Sequence, residues 1–171
     1  MNERKGIPLY ADLLEKRPPL EALEAAPRKV ADLVRGWDER RWSLTYAPGK
    51  WSAAQIVLHL AQDEIGWSNR IRFLLAVPDF VIQPFDGADW VARESPADGP
   101  AALEAFAALR RLDLRLYRGI TPAEAKRSFP HPEFGEISIG WILGTLAGHD
   151  LHHLRHLKAI AEAPARRIRR R

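Results

Sequence analysis

The sequence predicts an all-α fold, a four-helix bundle with a long connection between its second and third helices. Three observations predict it. Apolar residues recur at helical spacing through four segments of bundle length. Two of the breaks between segments carry reciprocal capping signals, and no alternating β pattern of useful length interrupts the helices. At 171 residues with 46% hydrophobic content, the chain suits one well-packed domain and is short for two.

The elements follow in order. Residues Leu9 to Lys16 read as a short helix closed by Pro18-Pro19, which cannot continue it. Leu20 to Arg35 is the first long helix, with Leu20, Leu23, Val30, Leu33 and Val34 at helical spacing and Pro27 expected to kink or restart it. Gly36 and the polar run Asp38 to Arg41 end it, and Tyr46 to Lys50 is rich in turn residues. Ser52-Ala53-Ala54-Gln55 has the form of a capping box and opens the second helix, which runs to about Val77 before Pro78.

Asp79 to Gly99 turns to Asp, Gly and Pro with aromatics among them, a connection long enough to line a site. Within it Phe80-Val81-Ile82 could pair briefly as a strand. The third helix spans Pro100 to Arg118, with Leu103, Phe106, Leu109, Leu112 and Leu116 on its apolar stripe. Thr121-Pro122-Ala123-Glu124 combines an N-cap, a first-turn proline and a capping-box glutamate, which predicts a short helical turn. Phe129 to Glu136, with two prolines and a glycine, reads as a loop. The fourth helix runs from Ser138 to Ala163, so the domain occupies residues 1–163 and a basic tail residues 164–171.

Charge and cysteine content exclude several function classes. The formal net charge of +4 is concentrated in Arg166, Arg167, Arg169, Arg170 and Arg171, which leaves the rest of the chain close to neutral. Such a run reads as a solvated, disordered tail able to add weak electrostatic affinity for nucleic acid, without specifying a sequence. The helices carry no basic stripe with aromatic interleaving. With no cysteine, disulfides, thiolate metal sites and a protein-borne thiol nucleophile are all excluded. The N-terminal residues Met1 to Gly6 lack an apolar core of signal-peptide length and no stretch approaches a membrane span, so a cytoplasmic protein with no membrane partner is expected.

The segment His149 to Leu157 holds four of the six histidines. Residues four apart on a helix lie about 40° apart and one turn apart, so His149 with His153, or His152 with His156, could grip one ion. Spacing alone does not choose. Ile139, Ile142, Leu146, Leu157 and Ile160 define the stripe that faces the core, and His149 and His153 border it, whereas His152 and His156 lie toward its polar margin. On the second helix His59 and Asp63 lie along the edge of the stripe formed by Ile56, Leu60, Trp67, Ile71 and Leu74. His59 there is either a hydrogen-bonded core residue or a ligand. A carboxylate at Asp63 needs a cation or a donor if it is buried. Glu64 points about 100° farther around and is left out of the site.

Two segments together resemble a known family. Trp51-Ser52-Ala53-Ala54-Gln55-Ile56-Val57-Leu58-His59-Leu60-Ala61-Gln62-Asp63-Glu64 looks like the tryptophan-led second helix of the DinB/YfiT-like superfamily of bacterial metalloenzymes, and His149 to Leu157 resembles its fourth-helix HxxxH signature. Pro132 to Ser138 resembles the connection leading into that helix. The resemblance covers roughly residues 20–160. It implies an antiparallel bundle, commonly dimeric, and a divalent ion such as nickel or zinc held by His59, His149 and His153. His152 and His156 then fall outside the ligand set.

Three neutral histidines leave a 2+ ion its full charge and an open position, the arrangement of a catalytic rather than a structural site. Asp63 would orient His59 or a bound water, or serve as general base; the alternative is a capped or salt-bridged acid at the bundle edge. The family includes bacillithiol- and mycothiol-dependent S-transferases and a thiol-dependent isomerase. The expected function is therefore a metal-dependent transferase or isomerase that acts on a small electrophile with a low-molecular-weight thiol as cosubstrate. A metal-dependent hydrolase is the alternative enzyme, and a non-catalytic metal or small-molecule binder of stress response the alternative of another class. The pocket walls are expected from Phe80 to Trp90 and from the third helix.

Overall fold

The computed structural model describes residues 10–163; the basic tail expected over residues 164–171 lies outside them. Four long helices form the bundle: α1 (Pro19–Leu33), α3 (Ala53–Ala76), α5 (Gly99–Gly119) and α7 (Ile139–Glu162). Short elements sit between them: α2 (Glu39–Trp42), α4 (Gly87–Arg93), α6 (Pro122–Lys126) and a hairpin of β1 (Ser128–His131) and β2 (Gly135–Ser138). A 3-10 turn, Tyr10–Leu14, crosses α7 where a short helix was expected from residue 9 to residue 16. No helix among the described residues is long and apolar enough to cross a membrane.

Helix boundaries follow the capping chemistry. Ser52 accepts a hydrogen bond from the Gln55 backbone N–H while the Gln55 side chain accepts from the Ser52 backbone, the reciprocal pair that starts α3. Thr121 and Glu124 do the same for α6. Ser138 caps α7 by accepting from the Trp141 backbone. Pro27 neither ends nor restarts α1, which continues through it.

The order of the helices sets up everything else. Around the bundle α1 touches α5 and α7, and α3 touches α5 and α7. Trp51 lies near His153, His59 near His149 and Trp67 near Trp141, so α3 and α7 run antiparallel. Gln55 donates to Ser95, just ahead of α5; Glu64 meets Arg110; and Asp113 meets Arg72. Hence α3 and α5 run the same way, and the connection over residues 77–98 must return along the bundle.

Two expectations about loops are corrected. Residues 129–136 are not a plain loop: β1 pairs antiparallel with β2, and Phe129 faces Ile137. Pro130 and Pro132 concealed the strand in the sequence, but a two-stranded ribbon has only edges, where proline is tolerated. Gly135, at φ 71, supplies the left-handed turn residue. Phe80-Val81-Ile82 forms no strand.

The buried apolar residues fall into two clusters, one around Val57, Phe106 and Leu157 and one around Leu23, Ile71 and Ile142. Between them lies a polar layer. Arg110, fully buried, donates to Glu64 at 2.8 Å, to Asp150 at 2.6 Å and to the Leu23 carbonyl at 2.8 Å, while Tyr117 donates to Glu64 at 3.1 Å. This layer adds a residue to the core and corrects one sequence expectation. Glu64 is buried because α3 is covered on more than its apolar stripe. Leu112 is 56% exposed, because the buried face of α5 runs through Ala102, Phe106, Arg110, Asp113 and Tyr117.

Replacing Arg110 with Met should lower unfolding free energy by about 3–5 kcal/mol in urea titrations at pH 7, because Glu64 and Asp150 lose their buried counter-charge. Adding Glu64→Leu and Asp150→Leu should recover most of that loss; no recovery would refute uncompensated charge as its cause. A second expectation concerns Gly148, where an added Cβ would lie 1.8 Å from the Tyr10 carbonyl oxygen. Gly148→Ala should cost about 1–3 kcal/mol and speed amide exchange at Tyr10–Leu14. Unchanged exchange there would show that the turn is not held against α7.

Candidate metal centre

α3 and α7 bring three imidazoles to one point in the polar layer. His149 Nε2 lies 3.1 Å from His59 Nε2 and 2.9 Å from His153 Nε2. All three residues are buried, and one nitrogen from each falls within 4.8 Å of the others. Nitrogen ligands at tetrahedral positions around a zinc-sized ion lie roughly 3.3 Å apart, given bonds of about 2.0–2.1 Å. A neutral imidazole offers one N–H and one lone pair. Three converging ring nitrogens satisfy one another poorly, whereas a cation accepting three lone pairs satisfies them all.

The outer nitrogens point the same way. The Nδ1 atoms of His59, His149 and His153 have no hydrogen-bond partner. Asp63 faces two of them, with Oδ2 3.3 Å from His149 Nδ1 and Oδ1 3.7 Å from His59 Nδ1. A carboxylate on the outer nitrogens favours protons at Nδ1, which leaves the Nε2 lone pairs turned inward. The donor set and its surroundings therefore fit a divalent ion.

Electrostatics agree. Burial pushes the His59 pKa down to about 4. Burial, and then the neighbouring imidazoles, hold His149 and His153 well below the usual value. All three are neutral near pH 7, the protonation state that metal binding requires. Asp63 is pushed up to about 8, first by burial and then by Asp150, against the pull of Arg70. It is an acid short of positive charge.

Aromatic rings close around the trio. Trp51 lies 4.6 Å from the His59 ring, and Tyr10 meets His149 edge-on at 5.1 Å. His152 and His156 stay outside and half-buried, His156 stacked on Tyr46 at 3.9 Å. A cavity of about 170 Å³ reaches His59, Asp63 and His149. Phe85 and Gly87 of the long connection line it as expected, but α5 does not; the remaining walls come from Tyr10, from Trp67 and Arg70 of α3, from the hairpin and from Trp141, Thr145 and Leu146 of α7.

The profile of the DinB superfamily matches residues 22–157. The chain belongs to the DinB superfamily. Within it, a relative from Oceanobacillus iheyensis, named "Putative metal-dependent hydrolase", is 28% identical over 84% of each chain. "Putative metal-dependent hydrolase YfiT" of Bacillus subtilis is 27% identical over 83% of this chain and 82% of its own. The solved YfiT structure, described as a probable metal-dependent hydrolase with an unusual four-helix bundle topology, superposes with a TM-score of 0.77 over 94% of this chain and 91% of that one at 25% identity. The four-helix bundle protein TT2238 aligns at a TM-score of 0.54 and 26% identity, over 82% of this chain and 96% of its own.

This DinB-superfamily chain brings together all four residues singled out from sequence, His59, Asp63, His149 and His153. Sequence reasoning missed Tyr10, Arg70 and His131 in the cavity wall and Arg110 behind the centre. Arg110 did carry a signal: it stands at helical spacing between Phe106 and Tyr117, where an apolar residue would be expected.

In metal-free protein, ring-nitrogen NMR should show His59 titrating near pH 4 rather than near the ordinary value of about 6.5. His149 and His153 should also stay neutral below the ordinary range. A midpoint near the ordinary value would mean that water solvates the trio.

Proposed function

We propose that this protein is a divalent-metal-dependent hydrolase of a compact substrate, with His59, His149 and His153 holding the ion. The observation that carries the reading is the convergence of three buried, neutral imidazoles on one point at the edge of a cavity. Nitrogen donors without thiolate suit zinc or nickel. An ion held by these three neutral imidazoles would keep its full charge and would supply Lewis acidity there.

The chain's own groups do the rest. Asp63 orients His59 and His149 through their Nδ1 atoms and, lining the same cavity, holds or releases a proton at its carboxylate near neutral pH. Trp51 and Tyr10 cover the imidazoles and limit the water that reaches them. The metal-dependent names of the relatives support the reading.

Thiol-dependent transfer or isomerisation would use the same centre, with the thiol entering as a cosubstrate because the chain has no cysteine. Hydrolysis is preferred because the relatives are named metal-dependent hydrolases, and the cavity of about 170 Å³ suits a compact substrate.

Elemental mass spectrometry of untagged protein should find near one equivalent of a divalent metal, lost in both His59→Ala and His153→Ala. Metal-loaded wild type should then turn over a panel of small esters and amides without added thiol. Asp63→Asn at saturating metal should lose about 10²–10⁴ in turnover. Activity that appears only with thiol would reassign the reaction to S-transfer, and full metal with no turnover in either assay would leave a binding protein.

A further inference from the structure

Two buried donors in the cavity wall have no partner suited to them. Arg70 of α3 is only 7% exposed, yet among the described residues no carboxylate lies within ion-pair distance of its guanidinium. One Nη donates to the Gln83 carbonyl, and the Trp67 and Phe85 rings flank the group at 4.5 Å each. These contacts fix its position, and Asp63 and Glu133 favour its charge only from beyond ion-pair distance, so the guanidinium has no direct counter-ion.

His131 of β1 is the second donor. It is 4% exposed, its ring stacks on Phe134 at 4.3 Å, and its Nδ1 accepts from the Glu133 backbone N–H at 3.1 Å. Burial, and then the charge of Arg70, hold it below the usual histidine range, so the ring is neutral. A neutral imidazole that accepts at Nδ1 carries its proton on Nε2, and that Nε2 is buried with no acceptor. Asp63 and Glu133, the acids of the same wall, do not supply it: Asp63 faces the imidazoles and Glu133 is exposed.

We propose that Arg70 and His131 form the anion-binding end of the cavity and take the carboxylate of a small acid whose flat apolar body lies among Trp67, Phe85, Phe134 and Trp141. The proposal names the substrate class of the site described above and rests on that cavity being the substrate site. A carboxylate is planar and presents two oxygens, the shape a guanidinium edge recognises. The aromatic walls suit an unsaturated body, and the volume limits its size.

Benzoate and its neutral counterpart benzamide are the probes, titrated calorimetrically at pH 7 into metal-free protein and into protein loaded with zinc alone. Benzoate should bind about tenfold or more tighter than benzamide in both forms, since hydrogen bonds to a charged group are worth roughly that factor or better. Arg70→Gln should abolish the preference, and His131→Phe, which keeps the ring stacked on Phe134, should weaken benzoate several-fold and leave benzamide unchanged. Equal affinities, no benzoate binding at millimolar concentration, or a preference that survives Arg70→Gln would overturn the proposal. So would a preference confined to zinc-loaded protein, which would place the carboxylate on the ion. Failure of the metal reading would show as empty protein in elemental analysis, while the metal-free benzoate titration would still decide the anion site.

Discussion

The buried guanidinium of Arg110 is the contact on which the arrangement of the centre depends. It ties α5 to α3 through Glu64, to α7 through Asp150 and to α1 through the Leu23 carbonyl, all at one level of the bundle. Burial alone would lower its pKa, but Asp150 and Glu64 together hold it above the ordinary value, so it stays charged. Its two carboxylate partners are chain neighbours of site residues. Glu64 follows Asp63, and Asp150 follows His149. One residue is about 100° of helix rotation, so locking Glu64 against α5 turns Asp63 toward α7, and locking Asp150 turns His149 toward α3. The aim of the imidazoles is thus set from behind.

That arrangement divides the bundle by role. Buried ion pairs contribute little net stability compared with apolar packing, because both charges lose their water. The apolar clusters lie on either side of the polar layer, where Ile56, Leu157 and Ile160 pack at one end and Ile71, Leu74 and Ile142 at the other. Stability comes from the ends, and the middle is left for groups that burial perturbs. Asp63 and the three histidines are displaced from their ordinary pKa values because they sit there.

What the sequence shows of this depends on periodicity. The helix starts at Ser52 and Thr121 and the core face of α7 are local patterns, and they stand where capping and spacing put them. His149 and His153 were legible because they interrupt an apolar stripe at a ligand spacing. His59 needed the family resemblance, since one histidine on a stripe's edge has no spacing to interpret. Glu64 was not legible as a core residue, because a single stripe describes a helix with one covered face and α3 has several. Arg70 and His131 come together only where α3 and a hairpin that its prolines disguised line one cavity.

The direction of the helices accounts for the cavity. Because α3 and α5 run the same way, the chain between them must travel back along the bundle before α5 can start, which takes residues 77–98 and the extra turns of α4. That return path runs over the polar layer. Phe85 seats its ring where a Cβ at Gly66 would stand 2.7 Å away, and Gly87 lies so close to His59 that its own Cβ would meet the ring at 2.7 Å. Glycine at both points lets the connection lie against α3 as a wall. Arg70 then fastens that wall by donating to the Gln83 carbonyl. The topology that requires a long connection thereby builds a covered space beside the imidazoles, and it places a cation at the edge of that space.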